Sequence, residues 1–216
     1  MDNTVVKPYA DALAAQKAKL QGYVADGFGA LAVPADAKAL PVARKDFLTD
    51  SAVCFLVLGA IGIVIALVSR NMGVVMAAAA AILSGGYLYV KGKQAMRATA
   101  YANLSSGLYA GIEQVVDGTR SRWSAFMAGQ NDSLRKAVVS SAADADAKVA
   151  LIDKIGSTPD ITVNLPEMQA DLAAIAAKED LGAYRAYIDK ARSAVSAAVD
   201  TADGAQSAIY TALGKA

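Results

Sequence analysis

The chain has 216 residues, of which 55% are apolar and 19% are charged, and its formal net charge is +1. It contains no histidine and one cysteine, which excludes histidine-dependent catalysis, zinc sites that need imidazole and internal disulfides. The balanced charge gives no electrostatic footprint for a nucleic-acid partner, and the high apolar content is atypical of a disordered chain. We therefore expect a folded protein with no nucleic-acid partner.

The N-terminal region, residues 1–40, predicts an amphipathic helix followed by a loop. Apolar side chains recur on one helical face over residues 3–24. A stretch rich in glycine and proline follows from Gly27 to Pro34 and breaks this pattern. Because its first part is apolar and uncharged, we expect it to lie in the lipid interface or beneath another chain.

Two long uncharged runs predict a transmembrane helical hairpin over residues 41–93. The first run has 19 residues between Asp50 and Arg70, and the second has 20 residues between Arg70 and Lys91. A helix of that length rises through roughly 30 Å, the thickness of a bilayer core. The short connection at Arg70 permits only an antiparallel pair. The alternative is a buried hairpin in a soluble core, although two such runs bounded by charge are unusual there.

Small residues recur along both runs and predict the surfaces on which these helices pack. Such residues allow two helix backbones to approach closely in a membrane. Either the small-residue faces join the two helices only to each other, or one face also contacts neighbouring copies. The predicted packing residues are Gly59, Gly62 and Ala66 in the first run and Gly73, Ala77, Ala81 and Gly85 in the second.

Basic and aromatic residues at the ends of the runs predict interface anchors and an orientation. Five basic residues flank the outer ends of the hairpin, counting Arg97, and one lies at its tip. The positive-inside rule then predicts that both termini are cytoplasmic, in a bacterial inner membrane or an equivalent one. The predicted anchors are Arg44, Lys45, Arg70, Tyr87, Tyr89, Lys91 and Lys93.

The remaining residues, 94–216, predict a cytoplasmic bundle or coiled coil of two to four long helices. Apolar residues keep a spacing of three and four after the second run, so its helix is expected to continue to about Gly129. Asn131 or Asp132 is a favourable first residue for a new helix with a heptad-like apolar pattern.

A break and a last helix follow within this region. The stretch from Gly156 to Pro166 contains two prolines and a short β-branched run, so we expect an extended connector. Asn164 and Glu167 have the spacing of a reciprocal capping pair for the next helix. A final long helical pattern occupies residues 180–213.

The predicted fold class is all-α, namely a two-helix transmembrane hairpin with an N-terminal helix and a long C-terminal helical bundle or coiled-coil region. We predict no catalytic, cofactor or metal site. Gly27–Ala32 matches a dinucleotide-binding string but lacks the preceding strand. Asp144 and Asp146 begin like a calcium loop, but Lys148 occupies its fifth position.

Three functions fit this layout. The first is a non-enzymatic membrane scaffold, which is anchored in the lipid bilayer and forms homo-oligomers or recruits a protein partner through residues 94–216. The second is a helical pore-forming protein, because an apolar hairpin between helical arms resembles the layout of some bacterial helical toxins and holins. The third is a structural subunit of a larger membrane complex. The uncharged runs disfavour a proton-driven pump, which needs an ionisable residue in the membrane.

Overall fold

The protein is all-helical. A computed structural model describes residues 3–40, 47–69, 72–141, 144–156 and 159–215. About 90% of the chain is helix, and the described residues contain no strand, so the all-α prediction is confirmed. The helices in the described residues are α1 (Asn3–Gly29), α2 (Phe47–Ser69), α3 (Met72–Val139), α4 (Ala145–Gly156), α5 (Leu165–Lys178) and α6 (Leu181–Lys215), and a single 3-10 turn covers Ala37–Ala39.

The helices divide into two compact units. The first unit comprises Met1–Val33, Gly107–Leu172 and Gly182–Ala216. The second unit comprises Pro34–Ser106 and Ala173–Leu181. Helices α3, α5 and α6 therefore contribute residues to both units, α6 only through Leu181 to the second, whereas α1 and α4 belong to the first and α2 belongs to the second.

The first unit has an apolar core built from α1, α3, α4, α6 and the connector between α4 and α5. Large side chains fill this core, and removing them from water stabilises the unit by about 1.5–3 kcal/mol for each fully buried large residue. The core residues are Val6, Leu13, Leu20, Trp123, Met127, Leu134, Val138, Leu151, Ile155, Ile161, Val199, Ala202, Tyr210 and Leu213.

Polar contacts join α1 to α6 beside this core. The Lys17 ammonium lies 2.9 Å from a carboxylate oxygen of Asp200 and 3.2 Å from one of Asp203. Hydrogen bonds to these two carboxylates raise the pKa of Lys17, so its charge is retained at every physiological pH. Tyr9 and Tyr210 meet edge to face, with ring centroids 6.4 Å apart. The N-terminal helix is thus part of the same bundle as the C-terminal helix.

The stretch that follows residue 24 packs on α3 of the same chain. Phe28 is buried, and the side chain of Leu31 lies over Gly111. Gly27 approaches Val115 so closely that a β-carbon at that position would collide with the valine side chain. Helix α1 therefore continues past the predicted end at residue 24, because its glycines permit close contact with α3. Phe28 is thus covered by this chain itself, and the expectation that the rest of the stretch lies in the lipid interface or under another chain stays a prediction.

Helix α3 continues beyond the boundary expected at Gly129. The prediction that a new helix begins at Asn131 or Asp132 is wrong, since both lie inside α3 and Asn131 is buried. The helix ends where the Ser140 hydroxyl bonds a backbone carbonyl one turn earlier. Helix α4 then begins with Asp144 as its cap, whose carboxylate accepts a 2.7 Å hydrogen bond from the backbone of Ala147.

The connector predicted from Gly156 to Pro166 is confirmed over residues 159–164, whereas Gly156 belongs to α4, Leu165 and Pro166 belong to α5, and residues 157–158 lie outside the described part of the chain. Side chains of α3 hold residues 159–164. Arg120 donates from Nε to the carbonyl of Ile161 at 3.0 Å and from Nη2 to the carbonyl of Val163 at 3.1 Å. Trp123 donates from its indole nitrogen to the carbonyl of Pro159 at 2.8 Å. These bonds satisfy backbone carbonyls that the extended stretch leaves without helical partners.

The capping pair predicted at the start of α5 is also confirmed. The backbone N–H of Glu167 donates to Oδ1 of Asn164 at 3.3 Å, and Nδ2 of Asn164 donates to the Glu167 carboxylate at 2.9 Å. This reciprocal contact satisfies an N–H group that the first turn of a helix leaves open. Helix α6 coincides with the long pattern predicted over residues 180–213.

The Arg120 contacts give a stability prediction. We expect Arg120→Ala to destabilise the first unit by about 1–3 kcal/mol, because two connector carbonyls lose a charged donor. Thermal unfolding of the detergent-solubilised protein, followed through the fluorescence of the single tryptophan, measures this. Arg192→Ala, at an exposed position of α6, is the control and should change stability by less than about 0.5 kcal/mol. Equal effects of the two variants would contradict the assigned role of Arg120.

Candidate membrane-spanning surface

The second unit presents an extensive apolar surface. Apart from Val139 and Val149, the large hydrophobic side chains that are exposed in the described residues lie between Val53 and Val90. Soluble proteins rarely expose contiguous apolar patches of this kind. The exposed residues of this surface are Val53, Phe55, Leu56, Val57, Leu58, Ile61, Ile63, Val64, Ile65, Leu67, Val68, Met72, Val75, Met76, Leu83, Tyr87, Tyr89 and Val90.

Helices α2 and α3 are the described elements that are long and apolar enough to span a membrane. A core helix of a soluble protein has the same length and composition, but it is mostly buried. Only 17% of the most apolar segment of α2 is buried within the protein, and only 11% of the corresponding segment of α3 is buried. The apolar runs therefore form an outward surface of the second unit rather than a core enclosed by it.

Helix α2 contacts the first part of α3 through glycines. A β-carbon added at Gly62 would lie 2.9 Å from that of Ala78, and one added at Gly85 would lie 3.1 Å from the backbone carbonyl of Ala52. Gly59 meets the side chain of Ile82 in the same way. At each of these positions the absence of a side chain is what allows the two backbones to approach.

The structure places the predicted packing residues in two groups. Two are exposed, Gly73 and Ala77, and the other five are buried or half-buried, namely Gly59, Gly62, Ala66, Ala81 and Gly85. The residues of α3 that contact α2 include two that the sequence analysis did not single out, Ala78 and Ile82. A run of five alanines has no periodic contrast, so composition alone could not indicate which alanine faces α2.

Two tyrosine–lysine pairs lie at the end of the apolar surface. The Lys91 ammonium lies 5.8 Å from the centre of the Tyr87 ring, and the Lys93 ammonium lies 4.6 Å from that of the Tyr89 ring. Each pair is spaced by four residues, so ring and cation occupy the same helical face in successive turns. A tyrosine ring followed by a lysine is the composition typical of an interfacial belt. The other predicted anchors, Arg44, Lys45 and Arg70, lie outside the described residues.

A groove lies beside the second of these pairs, with a volume of about 460 Å³. We call it the Lys93 groove. Its walls are mostly apolar, and its charged side chains are Lys93 and Arg97, one helical turn apart. The groove is lined by Ala37, Leu40, Tyr89, Val90, Lys93, Gln94, Met96, Arg97 and Ala100.

Arg97 also joins α3 to the turn that follows α5. Its Nε lies 2.8 Å from a carboxylate oxygen of Glu179. Glu179 has a φ of 53°, in the left-handed region that usually favours glycine. The sequence predicts Arg97 as a flanking charge of the hairpin. It does not predict the ion pair with Glu179, because the two residues lie far apart along the chain and no local pattern indicates their contact.

No group of three acidic or cysteine side chains in the described part of the chain could hold a metal ion. Burial raises the pKa of Tyr187 to about 12, with the Asp171 carboxylate adding to the effect, so this phenol is not a base at neutral pH. Cys54 is exposed on α2. Comparisons with protein-family models, curated proteins and solved structures found no match.

The glycine contacts give a prediction with a matched control in the next residue. We expect Gly85→Leu to separate α2 from α3, because the new side chain would meet the backbone of Ala52 and Leu56. Gly86→Leu should be tolerated, since a β-carbon at Gly86 has no neighbour within 4 Å. The measurement is the yield of an intramolecular crosslink, formed by a short thiol-reactive reagent, between Thr49→Cys in α2 and Met96→Cys in α3, whose native side chains meet at 4.0 Å, in a Cys54→Ala background and in membranes. Equal yields in the two leucine variants would contradict this contact.

Proposed function

We propose that the protein is a non-enzymatic integral membrane scaffold. Helix α2 and the first part of α3 form a hairpin that spans the bilayer, and the helices of the first unit provide surfaces for self-association or for a protein partner. The single observation that carries this proposal is the outward apolar surface between Val53 and Val90. Apolar side chains are stable in lipid. The backbone polar groups of α-helices are also compatible with lipid, because they form hydrogen bonds within the helix.

The exposure of this surface favours a permanently anchored protein over a water-soluble pore-forming toxin. A toxin must keep its insertable hairpin covered before it meets a membrane, since exposed apolar area costs about 25 cal/mol/Å² in water. Here α2 and the start of α3 are little covered by the rest of the chain. A holin-like pore and a subunit of a larger complex remain the other candidates, and dye leakage from vesicles separates the pore from the closed scaffold.

The proposed orientation places both termini in the cytoplasm. Lys91, Lys93 and Arg97 follow the apolar part of α3, and Arg44 and Lys45 precede α2 in the sequence. Retention of basic residues on the cytoplasmic side then directs the hairpin tip to the opposite face. The tyrosine–lysine pairs support this assignment, because they have the composition of a membrane-interface belt.

The membrane location is tested by charges on the apolar surface. We expect the double variant Leu58→Lys and Val64→Lys to lose resistance to alkaline extraction from membranes, because each lysine near the helix centre costs about 2.5–3.5 kcal/mol on insertion. The two native side chains are 61% and 62% exposed. The measurement is the fraction of protein that stays in the membrane pellet after carbonate treatment.

The matched control for this variant is Val139→Lys with Val149→Lys. These two valines are 60% and 59% exposed, but they lie at the end of α3 and in α4. The control adds the same charge to equally exposed apolar positions, and its membrane fraction should not change. If the Leu58 and Val64 variant instead stayed in the membrane pellet to the same extent as the control, the membrane proposal would be wrong.

Self-association is supported by a second small-residue face on α3. Gly73, Ala77, Ala80 and Ser84 are exposed and recur with spacings of four, three and four. By helical geometry this face is turned by roughly 120° from the residues that contact α2. Small residues on an outward face of a membrane helix permit close packing of a second helix. We therefore assign this face to contacts between copies of the chain.

Ala77→Leu tests this assignment, with Ala79→Leu as the control. Both alanines are exposed, but Ala79 lies on a different side of α3. We expect chemical crosslinking in native membranes to give a ladder of oligomers for the unmodified chain and for the control, and a reduced ladder for Ala77→Leu. A single band in every case, even at high crosslinker concentration, would exclude a homo-oligomeric scaffold.

A further inference from the structure

The Lys93 groove combines an apolar floor with a charged rim. Leu40, Val90 and Met96 supply apolar side chains, and its volume of about 460 Å³ exceeds that of an ordinary packing defect. Val90 is the last residue of the uncharged run in α3, and Lys93 follows it within one turn. In the proposed membrane location, the groove therefore lies where hydrocarbon meets the lipid phosphates.

Among the described residues, the cations at the rim of the groove outnumber the carboxylates that pair with them. Arg97 is paired with Glu179 at 2.8 Å, which leaves that pair with no net charge. Lys93 lies over the Tyr89 ring, and among the described residues no carboxylate forms an ion pair with it. The groove thus presents a net charge of about +1 beside an apolar surface, from Lys93 together with the Arg97–Glu179 pair.

We propose that the Lys93 groove binds an anionic phospholipid from the surrounding bilayer. The lipid phosphate accepts hydrogen bonds from the Lys93 ammonium and from the remaining N–H donors of Arg97, while an acyl chain lies along Leu40, Val90 and Met96. The net positive charge favours an anionic headgroup over a zwitterionic one, whose ammonium group it would repel. This inference rests on the membrane location proposed above.

The test measures which lipids stay with the purified full-length protein. The protein is reconstituted in vesicles of equal parts phosphatidylglycerol and phosphatidylcholine, floated on a density gradient, extracted in mild detergent and analysed for bound lipid by mass spectrometry. We expect retained phosphatidylglycerol to exceed phosphatidylcholine for the unmodified chain. Lys93→Gln should reduce the retained phosphatidylglycerol about fivefold, as expected for the loss of one hydrogen bond from an ammonium group to a phosphate in the groove.

Two further variants separate a built site from general surface charge. Lys91→Gln removes the same charge two residues away, and Lys91 does not line the groove, so its retained lipid should change less than twofold. Ala37→Phe fills the groove without changing any charge and should also reduce retention. Inorganic phosphate at millimolar concentration should not displace the lipid, because it gains nothing from the apolar floor.

Each outcome of this experiment either supports or overturns the assignment. Equal losses from Lys93→Gln and Lys91→Gln, full retention in Ala37→Phe, or displacement by inorganic phosphate would overturn the lipid site while leaving the membrane scaffold intact. A chain that does not float with the vesicles would overturn the membrane location, and the lipid site with it. The flotation step is scored for every variant, so the two failures are distinguished.

Discussion

The solvation of the outward apolar side chains of α2 and the start of α3 is the constraint on which the rest of the structure depends. Their outward side chains, from Val53 to Val90, would order water over a large area if they were exposed to it. The backbone N–H and C=O groups of a continuous helix form hydrogen bonds with one another, so these segments are compatible with hydrocarbon, which offers no hydrogen-bond partners. In the proposed membrane location, the tyrosine–lysine pairs lie where that medium gives way to water. Fold and proposed function thus follow from one solvation requirement.

The two units hold their helices together by different means. In the second unit, Gly59, Gly62 and Gly85 bring two backbones close, and large side chains extend outward. In lipid, apolar burial gives little drive for helix association, so contact between backbones matters more. In the first unit, large residues such as Trp123 and Leu134 fill an interior core. That arrangement is stabilised by removal of apolar area from water. The contrast in packing supports different solvents for the two units.

Local signals in the sequence predicted local structure, and contacts between distant segments were the main source of error. The Asn164–Glu167 pair and the extended connector were predictable because neighbouring residues form the cap and the break. Asn131 resembles a helix start, yet burial against other helices keeps it inside α3. The register of α3 on α2 was not predictable, because the alanine run has no periodicity and the register depends on glycines of the other helix. Packing of α1 into the C-terminal bundle likewise has no local signal.

Glu179 illustrates how such a long-range contact decides a residue type. The turn after α5 requires a positive φ, which costs roughly 1–2 kcal/mol for a residue with a β-carbon, and glycine would avoid that cost. An exposed ion pair stabilises the folded state by about 0–1 kcal/mol, so the pair with Arg97 offsets only part of the conformational strain at Glu179. Stability alone therefore does not account for glutamate at this position. What glutamate adds is a carboxylate that holds Arg97 at the rim of the Lys93 groove and neutralises its charge. Among the residues that line the groove, Lys93 is then the cation without a carboxylate partner in the described part of the chain, so the pair at the strained turn leaves the positive charge of the groove to Lys93.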